Sequence, residues 1–239
     1  MQVPHPRPHV LSDPFDDFTP GMLRKILATP DSELKWYDYR HLLGPHLPAG
    51  TYEETVYFLP LAFDHAHAHA DDALELCAPL IGYCSHHATA LQADGLLESC
   101  RTLLTALLHH WTRRFRVIHF DEAGCRAKGW GLRHFDYVEN AQLVWDALCE
   151  LVAFRYHDDL PELFVHDLSL AADPVQAAWL LELAHQRRTA SRVPDSLAIQ
   201  AVLDDRQILM KAYALVRVEV MPDEPSPTYR TDVAKKLEL

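Results

Sequence analysis

The chain has 239 residues, 49% of them hydrophobic and 23% charged, enough apolar content for a buried core and too much for a disordered chain. Its 22 Lys and Arg stand against 34 Asp and Glu, a formal net charge of −12. That balance argues against a general nucleic-acid binder and against docking on an anionic membrane, because both need clustered cations.

Eight Gly against 16 Pro is little glycine for the turns of a β-sandwich and leans helical. Residues 1–18 open with Pro4, Pro6 and Pro8 and read as an extended arm. Thr19-Pro20 and Thr29-Pro30 each place a capping residue before a proline at the first helical position, predicting helices over 20–28 and 30–43. Gly44-Pro45 and Pro48 end the second. Thr51 with Glu54 three residues on is a capping box, and Tyr52, Val56, Leu59 and Phe63 form the apolar stripe behind it. Pro60 predicts a kink near Val56, with the helix running on to about Ala70. A further helix is expected over about Asp72–Ala90, kinked at Pro79.

The stretch Gly95–Phe120 is the longest uninterrupted helical pattern. Residues 121–135, with Gly124, Gly129 and Gly131, read as the main internal loop. Helices follow at about 136–156, 159–171, 174–188 and 195–217, with Asp173-Pro174 and Asp195-Ser196 as start signals. Val216–Val220 alternates like a strand but has no strand partner, and reads as a helix end or an edge. Residues 221–239 carry Pro222, Pro225 and Pro227 and read as a loose tail. The fold expected is all-α: one domain over 19–220 of about eight or nine mostly antiparallel helices, with a short stack of helical hairpins as the alternative.

The first residues lack a cationic start followed by an apolar run, and no run of about 18 apolar residues occurs. The five cysteines, Cys77, Cys84, Cys100, Cys125 and Cys149, have no C-x-x-C spacing. Reduced thiols in a cytoplasmic protein are expected.

Charge is distributed unevenly. No Lys or Arg occurs from His41 to Cys100, a stretch that holds Glu53, Glu54, Asp64, Asp71, Asp72, Glu75, Asp94 and Glu98. A solvated helix normally mixes both signs, so one sign alone points either to solubility or to a field that attracts a cationic partner. The expectation is that Glu53, Glu54, Asp64, Asp71, Asp72 and Glu75 meet a basic protein, with Trp36 and Trp130 as aromatic contacts.

Signals for chemistry are few. His65, His69 and Asp72 fall at i, i+4 and i+7, one face of a helix, and would be the ligands of a divalent metal if one were bound. His166-Asp167-Leu168 resembles the His-Asp pair of the helical HD phosphohydrolases, although Ser169 and Leu170 stand where a small residue and a lysine commonly follow. Glu182 and His185 make one E-x-x-H, where a di-iron bundle needs two. There is no phosphate loop and no nucleophile motif, and no cofactor is expected.

An acidic helical chain without a catalytic motif resembles, in type, the helical immunity proteins of bacterial toxin systems. The resemblance implies a non-enzymatic antitoxin that binds a cognate toxin domain and blocks it, and it carries no family residue across. A helical metal-dependent hydrolase or a scaffold protein is the alternative.

Overall fold

The computed structural model describes residues 1, 3–13, 20–44, 49–113, 115–120, 122–127, 135–138, 140–153, 159–170, 172–218, 234–235 and 237–238; for 20, 70–75, 78, 118–120, 122, 124–125, 135–137 and 217–218 it describes the backbone alone. The fold is all-α. Its helices are α1 (Pro20–Ala28), α2 (Trp36–Leu43), α3 (Tyr52–Thr55), α4 (Phe58–Ala68), α5 (Ala70–His86), α6 (Ala88–Ala93) and α7 (Leu97–Trp111), then α8 (Glu122–Ala127), α9 (Ala141–Ala153), α10 (Leu160–Leu170), α11 (Pro174–Thr189), α12 (Leu197–Asp204) and α13 (Arg206–Val218). One antiparallel ladder of two strands, β1 (Val117–Phe120) and β2 (Phe135–Val138), interrupts the series. The helices outnumber the eight or nine expected, because several expected helices are split.

Two compact units divide the chain: Met1–His110 with Ala153–Asp158, and Trp111–Val152 with Asp159–Leu239. No change of composition marks the division within the expected single domain. In the first unit α2, α4 and α5 pack on one another and bury Leu42, Leu43, Phe58, Leu59, Phe63 and Leu80. Burying a side chain of this size stabilises by roughly 1.5–3 kcal/mol. The helical stripe read from the sequence is thus the core face.

The amino-terminal arm lies on this unit. Ser12 donates from both its backbone N–H (2.9 Å) and its hydroxyl (2.7 Å) to Glu54 Oε2, which also accepts from the Thr51 N–H (3.0 Å). One carboxylate thereby caps α3 and holds the arm. The Gly50 N–H donates to the Ser12 carbonyl at 2.7 Å, with Gly50 at φ +90°. A Cβ there would stand 2.7 Å from Thr55 Cγ2 and 3.3 Å from Leu11 Cδ2, so the close approach of the arm requires glycine. Further along, Arg7 reaches the Thr29 carbonyl (2.5 Å) and Asp31 (3.3 Å).

The second unit is built around α11. Ala177–Ala184 are all buried, as expected of a helix covered on every side, here by α10, α12 and α13. Asp173 caps α11 by accepting from the Val175 N–H (2.7 Å), with Pro174 in its first turn. Ser196 caps α12 and donates to Glu162 Oε1 at 2.6 Å. The buried Trp145 donates from its indole nitrogen to the Arg192 carbonyl (2.9 Å).

Several expected boundaries move for identifiable reasons. Residues 31–33 form a 3-10 turn, and α2 begins only at Trp36, where the Asp38 carboxylate accepts from the Lys35 N–H. The helix expected across Pro60 is interrupted near Val56, where the proline places the break: Val56 and Tyr57 keep right-handed helical dihedrals but separate α3 from α4, and Pro60 lies in the first turn of α4. Gly95–Phe120 is not one helix: α7 stops at Trp111, and the β-branched and aromatic residues of 117–120 pair with Phe135–Val138. The expected internal loop therefore contributes a short helix and part of a strand. The helix expected over 195–217 is two, divided at Asp205, whose carboxylate caps α13 through the Gln207 and Ile208 N–H groups. The strand-like Val216 and Val218 end α13. The expected tail lies outside the described residues except at 234–235 and 237–238, where Leu237 is buried.

Gly50→Ala should lower the stability of the chain by about 1–3 kcal/mol, because it adds backbone strain and a clash with Thr55 at one site. Gly95→Ala, at φ +71° with open space around its Cβ, should cost less, about 1 kcal/mol. Urea unfolding of the two variants checks this order; equal losses would remove the close approach as the reason for glycine at 50.

Candidate functional site

Two clusters in the first unit bring titratable and aromatic side chains together. The first is assembled from the arm, α3, α5 and the end of α6. That end is a Schellman turn: the Leu96 N–H bonds to the Leu91 carbonyl (2.8 Å), the Gly95 N–H to the Gln92 carbonyl (3.1 Å), and Leu91 and Leu96 are both buried. It fixes Asp94, whose Oδ2 accepts from the Tyr52 hydroxyl (2.8 Å) and lies 2.9 Å from His5 Nε2. Tyr52 stacks on Tyr83 with centroids 6.5 Å apart, and His87 packs against both rings at 5.2 and 4.5 Å. Thr55 Oγ1 and the Tyr83 hydroxyl are 2.9 Å apart and buried.

This cluster has the ingredients of acid–base chemistry, a His–Asp pair with hydroxyls nearby, but its bonds run inward. Burial and the bond to Asp94 push the Tyr52 hydroxyl above its ordinary range, so it stays protonated and donates. The same bond, with the one to His5, holds Asp94 below the usual carboxylate range. The Thr55 hydroxyl also bonds to the Thr51 carbonyl. The arrangement fastens the arm to the helices.

The second cluster surrounds α2. Trp36 and Tyr37 form an edge-to-face pair with centroids 5.8 Å apart at its amino-terminal end. Trp36 is half-buried and Tyr37 exposed. One turn on, the buried Tyr39 hydroxyl is pushed up to about 12, first by burial and then by the charges of Asp31, Asp38 and Asp64. Carboxylates from the 3-10 turn, α2 and α4 therefore act on one point. Asp31 is engaged, by Arg7 and by the Tyr57 hydroxyl (2.5 Å), whereas Asp64 and Glu33 are exposed.

The acids singled out in the sequence have separate fates. Glu53 is exposed beside the first cluster, and hydrogen bonding, from its own backbone N–H and the Thr51 hydroxyl, holds it below the usual carboxylate range. Glu54 clamps the arm, and although burial works against its charge, the bonds from Ser12 and Thr51 prevail and lower its pKa. The side chains of Asp71, Asp72 and Glu75 lie outside the described residues, as does Trp130.

The continuous helix that would align His65, His69 and Asp72 is not formed. α4 ends at Ala68, and His69 takes φ −124° and ψ 86° before α5 begins. His65 and His69 remain close, with ring centroids 4.5 Å apart, while His67 Nδ1 lies 3.1 Å from the Phe63 carbonyl. Among the described residues no group of three or more His, Cys, Asp or Glu is placed to hold a metal ion. His166 and Asp167 are both exposed on α10. Glu182 is buried in α11 and accepts from Gln186 Nε2 (2.9 Å). Cys77, Cys84, Cys100 and Cys149 are buried, and burial pushes the Cys149 thiol up to about 11, far from a nucleophilic thiolate at neutral pH.

No family model matches this chain, and no curated protein or solved structure matches it either. Among the described residues no helix is long and apolar enough to cross a membrane.

Sequence reasoning missed the first cluster because its members come from positions 5, 52, 83, 87 and 94, with no shared period. The only local signal was Gly95, a glycine just past a helical pattern. The cluster makes stability depend on pH. Burial, with the charge of His86 beside it, lowers the His87 pKa to about 4, against ~6.5 for an exposed histidine. The folded unit thus binds fewer protons than the unfolded chain between those values. Its stability should be full above pH ~6.5 and fall as the pH drops toward ~4, by about 1–2 kcal/mol after solvent screening. Asp94 and Glu54, held below their ordinary values, should add a further loss at lower pH. Thermal unfolding across this range should show the fall, and His87→Gln should flatten its upper part. An unaltered slope in that variant would assign the fall to other groups.

Proposed function

We propose that the chain is a non-enzymatic binding protein of the immunity or antitoxin type, which neutralises a basic toxin domain through the acidic and aromatic face around α2. The observation that carries this reading is the pair formed by the half-buried Trp36 and the exposed Tyr37, on the same helix as Tyr39, on which Asp31, Asp38 and Asp64 act. Aromatic side chains at a surface supply the contact area typical of interface hot spots. Carboxylates around them add a long-range field that speeds the encounter with a cationic partner. Asp64, Glu33 and Glu53, exposed on the same unit, extend that field.

The inward bonding of the first cluster supports the non-enzymatic part. Its histidine, carboxylate and hydroxyl groups hold one another, and the His-Asp pair of α10 faces solvent as two exposed side chains. Two acids are engaged by the arm, Asp31, which lies before the acidic stretch, by Arg7, and Asp94 within it by His5. The remaining exposed acids are those a partner would meet.

The test uses a basic toxin domain that binds this chain, with association followed by surface plasmon resonance at low and high salt; failure to find any such partner among basic toxin domains would refute the reading itself. Glu33, Glu53 and Asp64 changed together to Lys should slow association about tenfold at low salt and much less at high salt. Trp36→Ala with Tyr37→Ala should instead speed dissociation, by about 30-fold for a loss of ~2 kcal/mol. Unchanged rates in both variants, with wild-type circular dichroism, would refute the assignment of this face.

A further inference from the structure

The second unit contains a cavity of about 690 Å³ where the α10–α11 turn meets α13. Its size falls within the ~300–1,000 Å³ of small-molecule sites. The floor is made by Leu168, Ala177, Leu180 and Ala212, all buried in the unit. Leu170, 71% exposed, and Leu215 form the rim. Small residues create the space: Ala177 and Ala212 stand where α11 and α13 approach, and Ala172 and Ala214 leave the mouth open.

The chemistry of the described lining is one-sided. Its apolar members are all Leu and Ala, with no aromatic ring against which a flat ligand would stack. Its polar side chains are Ser169 and Lys211. The Ser169 hydroxyl donates to the His166 carbonyl at 2.6 Å, which leaves the exposed Lys211 ammonium as the charge at the mouth. No carboxylate is among the described lining residues. An aliphatic pocket with one cation at its edge suits a flexible alkyl chain carrying one anionic group.

We propose that this cavity binds a medium-chain alkyl carboxylate, with the chain among Leu168, Leu180 and Leu215 and the carboxylate at Lys211. The proposal is independent of the α2 face, which belongs to the other unit. Burial of the chain supplies the affinity, and the lysine orients the ligand with its head in water.

Isothermal titration of the full chain with octanoate, decanoate and dodecanoate, each below its micelle concentration, tests this. Affinity should rise about fourfold per added methylene until the cavity is filled, at one ligand per chain. Lys211→Glu should weaken dodecanoate binding roughly tenfold at low salt, since it replaces attraction by repulsion. Ala214→Trp, a change at an exposed position, should block the mouth and abolish binding while circular dichroism stays that of wild type. Absence of saturable binding by dodecanoate overturns the proposal, as does equal binding by wild type and Lys211→Glu. A concentration-dependent dimer that Ala214→Trp dissolves, without dodecanoate binding, overturns it in favour of a second copy of the chain.

Discussion

The first unit depends on one carboxylate. Glu54 Oε2 accepts three hydrogen bonds, two from Ser12 and one from Thr51, and Gly50 lies close enough to donate a fourth contact to the same stretch of arm. Bonds to a charged acceptor contribute roughly 1.5–3 kcal/mol each. With Ser12 fixed, the residues before it lay Arg7 against Asp31 and His5 against Asp94. The arm then brings a guanidinium to Asp31 and an imidazole to Asp94, which lie 63 positions apart in sequence.

Most of the fold was legible where a local rule has a local cause. Asp173-Pro174 and Ser196 cap helices as their chemistry dictates, and the Tyr52–Phe63 stripe faces a core. The failures have causes that lie elsewhere in the chain. Residues 117–120 are strand because 135–138 pair with them, a partner some 15 residues away that helical periodicity does not reveal. The break at His69 has no Gly or Pro to announce it.

The candidate site was legible in its composition more than in its geometry. The acidic stretch and Trp36 were visible, and the capping box announced that Glu54 turns back to the Thr51 N–H, but its two bonds from Ser12 had no local signal, while Asp64 stayed at the surface. What separates them is the arm, and the arm carries no motif that names its docking place. Asp31 and Asp38, which act on Tyr39 together with Asp64, lie before the stretch free of Lys and Arg and so drew no notice.

The clamp at Glu54 also sets an order of assembly. Ser12 is separated from Glu54 by 42 residues and His5 from Asp94 by 89, so the arm leaves the ribosome well before its acceptors exist. It must wait as an unattached chain until α3 and then the turn at Gly95 have been made. Doubling a loop costs only about 0.6 kcal/mol in closure entropy, so the wait is a matter of sequence in time more than of energy. The arm, synthesised before its acceptors, is thus among the last parts of its unit to settle, and it seals helices that formed before it docked.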